Sequence, residues 1–170
     1  MNTLLLMEGQ KTKRTIEFVV TRNLLQKREY YLSISERDKG ISDAFNKGIK
    51  MASGTLIGLI NADDELLPET SEILKNECKK IDVDIYYGNC YWVDSERNLE
   101  YVFKPKHDLS KLLYNMILIH PSTFVKKKAY EECGLFDVTY KYCMDKELLY
   151  RMYKAGKKFD YIDQCLTKFK

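Results

Sequence analysis

The sequence contains no apolar run close to the roughly 20 residues that a membrane-spanning helix needs. Its longest apolar stretches, residues 56–60 and 116–119, are far shorter. The amino terminus has leucines at positions 4–6 but no preceding basic residue and no small-residue cleavage site, so it is a poor signal peptide. These absences predict a cytoplasmic protein.

Cysteine and histidine are few and scattered. The five cysteines lie at least ten residues apart without a C-x-x-C pair, and His107 and His120 are distant from all of them. This spacing excludes the usual zinc motifs and a disulfide framework. We expect the cysteines to be reduced, buried thiols that pack as small hydrophobic side chains.

Neither sign of charge dominates. The 28 lysines and arginines nearly balance the 25 aspartates and glutamates, and no run of five like charges occurs. Lys126, Lys127 and Lys128 are more typical of a solvated helix start than of an RNA-binding patch, so no nucleic-acid partner is expected. A length of 170 residues with 45% hydrophobic residues predicts a single domain over residues 1–170.

Hydrophobic periodicity predicts alternating strands and helices in the first half. Residues 15–20 indicate a strand, and a helix begins at Ile41 with apolar side chains every three or four positions. Residues 56–60 form a continuous apolar run typical of a buried strand, a helix follows Pro68, and residues 83–87 indicate another strand. This β-α-β-α-β order favours a largely parallel α/β sheet.

The second half follows a different pattern. Residues 90–93 and 99–103 flank a polar turn and predict a hairpin. Short helices are expected after Asp108 and over residues 127–133, where Gly134 marks the end. A longer helix over residues 144–155 and a final strand over residues 159–162 complete the prediction.

Asp63 and Asp64 stand directly after the buried strand of residues 56–60. Adjacent carboxylates repel one another, and a divalent cation relieves the repulsion. Oxygen ligands of this kind suit Mg²⁺ or Mn²⁺, with water and phosphate oxygens completing the shell. The alternative is that one of the two aspartates only caps the helix that follows.

One motif contains this pair and four others flank it. They are S-E-R-D-K-G-I-S-D-A-F-N-K-G at 35–48, N-A-D-D at 61–64, I-H-P-S-T-F at 119–124, G-L-F-D at 134–137 and M-D-K-E-L at 144–148. Together they resemble the family 2 glycosyltransferases from about residue 15 to residue 170. The residues of these motifs are most similar to those of bacterial members that build surface polysaccharides.

The resemblance implies an α/β fold, a Rossmann-like GT-A mixed sheet flanked by helices, with a nucleotide-sugar bound at the carboxyl ends of the strands. It implies that Asp64 holds the divalent metal, Mn²⁺ or Mg²⁺, and that Asp63 contacts the ribose or shares the metal. Asp38, Lys39 and Gly40 would lie beside the nucleotide.

The resemblance also assigns chemistry to the segment that opens the last helix. Asp145 matches the base that takes the proton of the acceptor hydroxyl in an inverting transfer. Glu147 is the second choice for this role, and a plain helix-terminus acid is the structural alternative for Asp145. The expected acceptor is a polysaccharide or glycolipid, which leaves open a peripheral association with the inner face of the membrane.

The start of the sequence departs from the family pattern. The first strand of the V-V-I-P-T-Y-N type is absent, and residues 21–24 stand where the family has its base-binding aspartate. We therefore expect an incomplete nucleotide-binding half and an N-terminally truncated chain, unless residues 1–10 supply a substitute strand. The alternative function is a catalytically inactive, glycosyltransferase-like binding or scaffold protein.

Overall fold

The computed structural model describes residues 38–170 apart from 62, 80 and 81, together with the backbone of three strands between residues 2 and 36. These residues form one sheet with the strand order β3-β2-β1-β4-β8-β6-β9-β5, and β7 pairs with β6. The strands are β1 Asn2–Gln10, β2 Thr15–Asn23, β3 Arg28–Glu36, β4 Leu56–Asn61, β5 Glu65–Leu66, β6 Ile85–Asp94, β7 Leu99–Phe103, β8 Thr123–Lys126 and β9 Phe159–Phe169.

In the described part of the chain, four α-helices flank this sheet, namely α1 Ile41–Met51, α2 Thr70–Glu77, α3 Lys127–Cys133 and α4 Met144–Lys154. Two short 3₁₀ segments, Leu109–Leu113 and His120–Ser122, lie in the connections. The predicted mixed GT-A sheet with flanking helices is confirmed. Among the described residues, no helix is both long and apolar enough to cross a bilayer.

The expectation of a largely parallel sheet is wrong. Only the β1–β4 and β6–β9 pairs are parallel. Strand β8 lies between β4 and β6 and runs antiparallel to both, so the two apolar strands of the β-α-β-α-β pattern never pair with each other. The local pattern identified the strands correctly, but a third strand from 60 residues downstream separates them.

The first three strands correct the assignment of residues 15–20. β1 runs parallel to β4, so residues 2–10 supply the substitute strand. β2 is antiparallel to β1, because a short connection favours a hairpin and a parallel pair needs a crossover. Asn23, the last residue of β2, therefore lies beside the amino-terminal ends of β1 and β4, away from the carboxyl end of β4. Residue 24 lies outside the described residues.

The core lies on both faces of the sheet. Alternate residues of β4 point to opposite sides: Ile57 packs with α1, α3 and α4, and Leu56 packs toward α2 with Phe124 of β8. Gly58 allows this packing, because a Cβ there would lie 2.5 Å from the Phe124 ring. The two helical layers hold the carboxyl end of β4 in a fixed position.

The cysteines follow the sequence prediction only in part. Cys78 and Cys90 are buried, and burial raises the pKa of each thiol to about 12. Cys143 is exposed, contrary to expectation, since it stands just before α4 with a positive φ of 56°. It therefore starts a helix instead of filling the core.

Candidate active site

A cleft with a volume of about 360 Å³ opens where α1, β4 and α4 converge. It receives Ile41 from the start of α1, Asn61 from the end of β4 and Asp145 from the first turn of α4. The remaining lining residues are Phe45, Trp92, Phe103, Met116, Leu118, Ile119, His120, Pro121, Met144 and Phe169. Three separate sequence motifs thus meet in one concavity.

The D-K-G segment forms a tight entry into α1. Asp38 Oδ1 accepts a hydrogen bond from the Gly40 backbone N–H at 2.9 Å, and Asp43 Oδ2 accepts one from Lys39 N at 3.0 Å. The Lys39 N–H lowers the pKa of the Asp43 carboxyl. Gly40 has φ of 122°, a conformation that only glycine adopts without strain. This turn immediately precedes Ile41 of the cleft, although Asp38 and Lys39 do not line the cavity themselves.

Asp63 and Asp64 occupy different environments. Asp64 is buried, Asn61 Nδ2 donates to its Oδ2 at 3.0 Å, and the Lys170 backbone N–H donates to its Oδ1 at 3.3 Å. Burial raises the pKa of the Asp64 carboxyl, and these hydrogen bonds oppose the rise. Asp63 is exposed on the same loop. The buried member joins the loop to the carboxyl end of β9, and the exposed member faces solvent.

The acidic side chains fit a metal ion whose coordination shell consists mostly of water and phosphate oxygens. In the part of the chain that the structure describes, no three acidic, histidine or cysteine side chains converge as a metal cluster. Mg²⁺ and Mn²⁺ at phosphate sites need only one or two protein oxygens. Asp63 offers one exposed carboxylate of this kind on the loop after Asn61, and it is not among the residues that line the cleft. Asp64 is less available, because both of its oxygens already accept hydrogen bonds in the interior.

Asp145 and His120 lie side by side in the cleft. Asp145 is half-buried, and its Oδ1 accepts the Lys146 N–H at 2.8 Å. His120 Nε2 is buried and has no hydrogen-bond partner among the described residues, and its ring packs 5.3 Å from that of Phe45. Burial lowers the pKa of His120, and the nearby Asp145 charge partly opposes this. The cleft therefore presents one carboxylate beside a neutral imidazole.

Glu147, the alternative base, is held by Arg151. The guanidinium Nε and Nη2 each donate to one Glu147 oxygen at 2.8 Å. The same side chain also donates to the carbonyl oxygens of Cys133 and Leu135, which ties α4 to the turn after α3. A carboxylate in a bidentate pair of this kind has both oxygens engaged, so it is less open to an acceptor hydroxyl than a free one. No sequence motif singled out Arg151.

The comparisons with known proteins bear on the family and the fold of the chain. A family model described as "Glycosyl transferase family 2" matches residues 11–140. An uncharacterized glycosyltransferase of Methanocaldococcus jannaschii is 25% identical over 98% of the chain. A PGL/p-HBAD biosynthesis glycosyltransferase of Mycobacterium bovis is 24% identical over 84% of the chain. The chain spans 59% and 54% of the lengths of these two relatives.

Solved structures with a similar fold include S. aureus TarS, residues 1–349. The TM-score is 0.63 at 15% identity, covering 79% of this chain and 41% of the TarS chain. The same TarS segment has been solved with UDP, at a TM-score of 0.61, and with UDP-GlcNAc, at 0.60. At this identity the likeness concerns the fold.

Proposed function

Because the chain belongs to glycosyl transferase family 2, we propose that it transfers a sugar from a nucleotide-diphosphate sugar to a saccharide or glycolipid acceptor. The observation that carries this proposal is the cleft itself, where Asp145 of α4 meets the carboxyl end of β4 and the start of α1. Ligands of open α/β sheets bind at this edge.

The proposed donor is a uridine diphosphate sugar. The fold resembles that of TarS, whose structures contain UDP and UDP-GlcNAc. On this chain, the turn of Asp38, Lys39 and Gly40 at the entry to α1 would lie beside the nucleotide. Asp63, exposed at the end of β4, would lie near the ribose and the diphosphate.

The proposed metal contact is Asp63, assisted by Asn61. When bound, Mn²⁺ or Mg²⁺ would supply a Lewis acid for the charge that develops on the departing diphosphate. Asp64 would act indirectly, because its hydrogen bonds to Asn61 and to the Lys170 backbone fix the loop that carries Asp63. This proposal moves the leading metal role from Asp64, where the family resemblance placed it, to its neighbour.

Asp145 is the proposed base. Its carboxylate would accept the proton of the acceptor hydroxyl as that oxygen forms a bond to the anomeric carbon and the bond to the diphosphate breaks. Attack from the side opposite the leaving group inverts the configuration. Burial lowers the pKa of the neighbouring His120, so its imidazole is a weaker proton acceptor than an exposed histidine would be.

The proposed acceptor is a glycolipid or polysaccharide precursor. One relative is described as a PGL/p-HBAD biosynthesis glycosyltransferase, which supports an acceptor built on a larger molecule. A cytoplasmic location with peripheral contact to the inner membrane face would suit such an acceptor. The matched relatives are longer than this chain, so the acceptor and the location are proposed for the whole protein.

The test is calorimetry with Mn²⁺ and UDP, followed by assay of UDP release from UDP-GlcNAc, UDP-glucose and UDP-galactose with saccharide acceptors. The proposal predicts metal-dependent nucleotide binding and turnover of at least one donor. Binding without turnover of any donor would favour the inactive binding protein. Failure to bind UDP with or without Mn²⁺ would contradict the proposed function.

A further inference from the structure

An aromatic row crosses three strands beside the cleft. Trp92 of β6 is paired with Tyr101 of β7 and with Phe169 of β9, and paired residues share a sheet face. The Trp92 ring lies 6.3 Å from the nearly parallel Tyr101 ring and 4.6 Å from the Phe169 ring. Phe103, 6.0 Å from Trp92, completes the group. We call these four residues the aromatic row.

The aromatic row is accessible. Tyr101 is 50% exposed and Phe103 is 38% exposed, and both belong to β7 at the side of the sheet. Contiguous apolar surface of this kind is costly in water and marks binding sites. Trp92, Phe103 and Phe169 also line the same cleft as Asp145, so the row continues the candidate active site.

Polar and apolar groups are segregated within the cleft. The polar side chains in the lining are those of Asn61, His120 and Asp145, whereas the rest of the wall is aromatic or aliphatic. A saccharide can stack the apolar face of its ring on that wall, but its hydroxyl groups limit the apolar surface that it buries there. An apolar group attached to a sugar would instead bury its surface there, and a flat ring can stack on Trp92 and Phe103.

We propose that the aromatic row binds the apolar aglycone of a glycoside acceptor, whose sugar then lies toward Asp145. The chemical class is therefore a sugar joined to an aryl or alkyl group, not a free sugar. The aromatic row and the apolar lining of the cleft support this binding surface. The placement of the sugar hydroxyl at Asp145 rests on the proposed function.

Trp92 gives a direct readout, because it is the only tryptophan in the sequence. The full chain would be titrated with phenyl β-D-glucopyranoside and with methyl β-D-glucopyranoside while Trp92 emission is recorded. The inference predicts a saturable change with the phenyl glycoside and a Kd at least about tenfold lower than for the methyl glycoside, since only the former buries a ring on the row.

Matched variants on β7 localise the binding. Phe103→Ala and Tyr101→Ala should each raise the Kd for the phenyl glycoside about fivefold or more. Val102→Ala is the control, because Val102 is 46% exposed on the same strand but faces the other side of the sheet. It should bind as the unchanged protein does. Two row variants are used so that poor folding of one does not remove the test.

The outcomes separate this inference from the proposed function. Equal Kd values for the two glycosides, or unchanged phenyl glycoside binding in both row variants, would overturn the inference even if UDP-sugar is turned over. Trp92 emission that responds to phosphatidylcholine vesicles and not to phenyl glucoside would assign the row to a membrane and would also overturn it. Phenyl glycoside binding without any UDP binding would support the row as a site while the transferase function failed.

Discussion

Asn46 in α1 and Phe136 in the turn after α3 exchange two buried hydrogen bonds. Asn46 Nδ2 donates to the Phe136 carbonyl oxygen at 2.8 Å, and the Phe136 N–H donates to Asn46 Oδ1 at 2.9 Å. Arg151 holds the neighbouring Leu135 carbonyl from α4. The helix that follows the D-K-G turn is thus connected to the helix that carries Asp145 through one short turn.

Asn46→Ala should destabilise the fold by about 2–3 kcal/mol, because both backbone groups of Phe136 lose their partner in the interior. Urea unfolding measures this change. The control is Asn76→Ala on the exposed side of α2, which should alter the free energy of unfolding by less than about 0.5 kcal/mol. Equal effects of the two variants would mean that the two buried hydrogen bonds of Asn46 contribute little to the free energy of unfolding.

Asp63→Asn should weaken Mn²⁺ binding in the presence of UDP more than Asp64→Asn does. Asp63 is the exposed carboxylate, whereas Asp64 acts through the loop, where indirect effects are typically about 10- to 100-fold. Calorimetry with matched protein samples gives both affinities. A larger loss in Asp64→Asn would return the metal role to the residue that the sequence resemblance favoured.

His120 should make stability depend on pH. Burial lowers its pKa below the unfolded value of about 6.5, so the unfolded chain binds the proton more readily and stability falls as pH drops below that value. Asp145, which lies beside His120 in the cleft, reduces the effect without reversing it. His120→Gln cannot take up this proton.

The measurement is urea unfolding of both proteins between pH 5 and pH 7.5, a window that spans the ordinary histidine pKa of about 6.5. The difference in the free energy of unfolding, native minus His120→Gln, should decrease toward the acid end. Subtracting the two curves cancels the contributions of the carboxylates and of His107. A constant difference would show that the His120 pKa is unchanged on folding.

Local sequence patterns predicted most of the helices and few of the strand pairings. α1 begins and α3 ends at the predicted residues, because the apolar spacing of α1 and Gly134 after α3 are local signals. The position of β8 between β4 and β6 depends on pairing partners 36 to 70 residues away along the chain, which periodicity does not encode. β3 was not predicted, although it pairs with β2 across a connection of only four residues.

In the candidate site, too, local motifs were predicted and contacts between distant residues were not. The motifs at residues 38–40, 61–64 and 144–148 were recognised from residue types and spacing. Their different burial was not predictable, because Asp64 is buried by contacts with the end of β9, more than 100 residues away. Arg151 and the aromatic row were missed, since an arginine in a helix and aromatic side chains in strands are common without any site.

The most direct test of the account is the rate of UDP release by Asp145→Asn, measured with Mn²⁺, the best UDP-sugar donor and a phenyl glycoside acceptor. The amide keeps the side-chain size but cannot take the acceptor proton, so the rate should fall about 100- to 10,000-fold while the melting temperature changes little. Asp82→Asn, an exposed control, should keep the native rate. Near-normal turnover by a folded Asp145→Asn protein would contradict the assignment of the base.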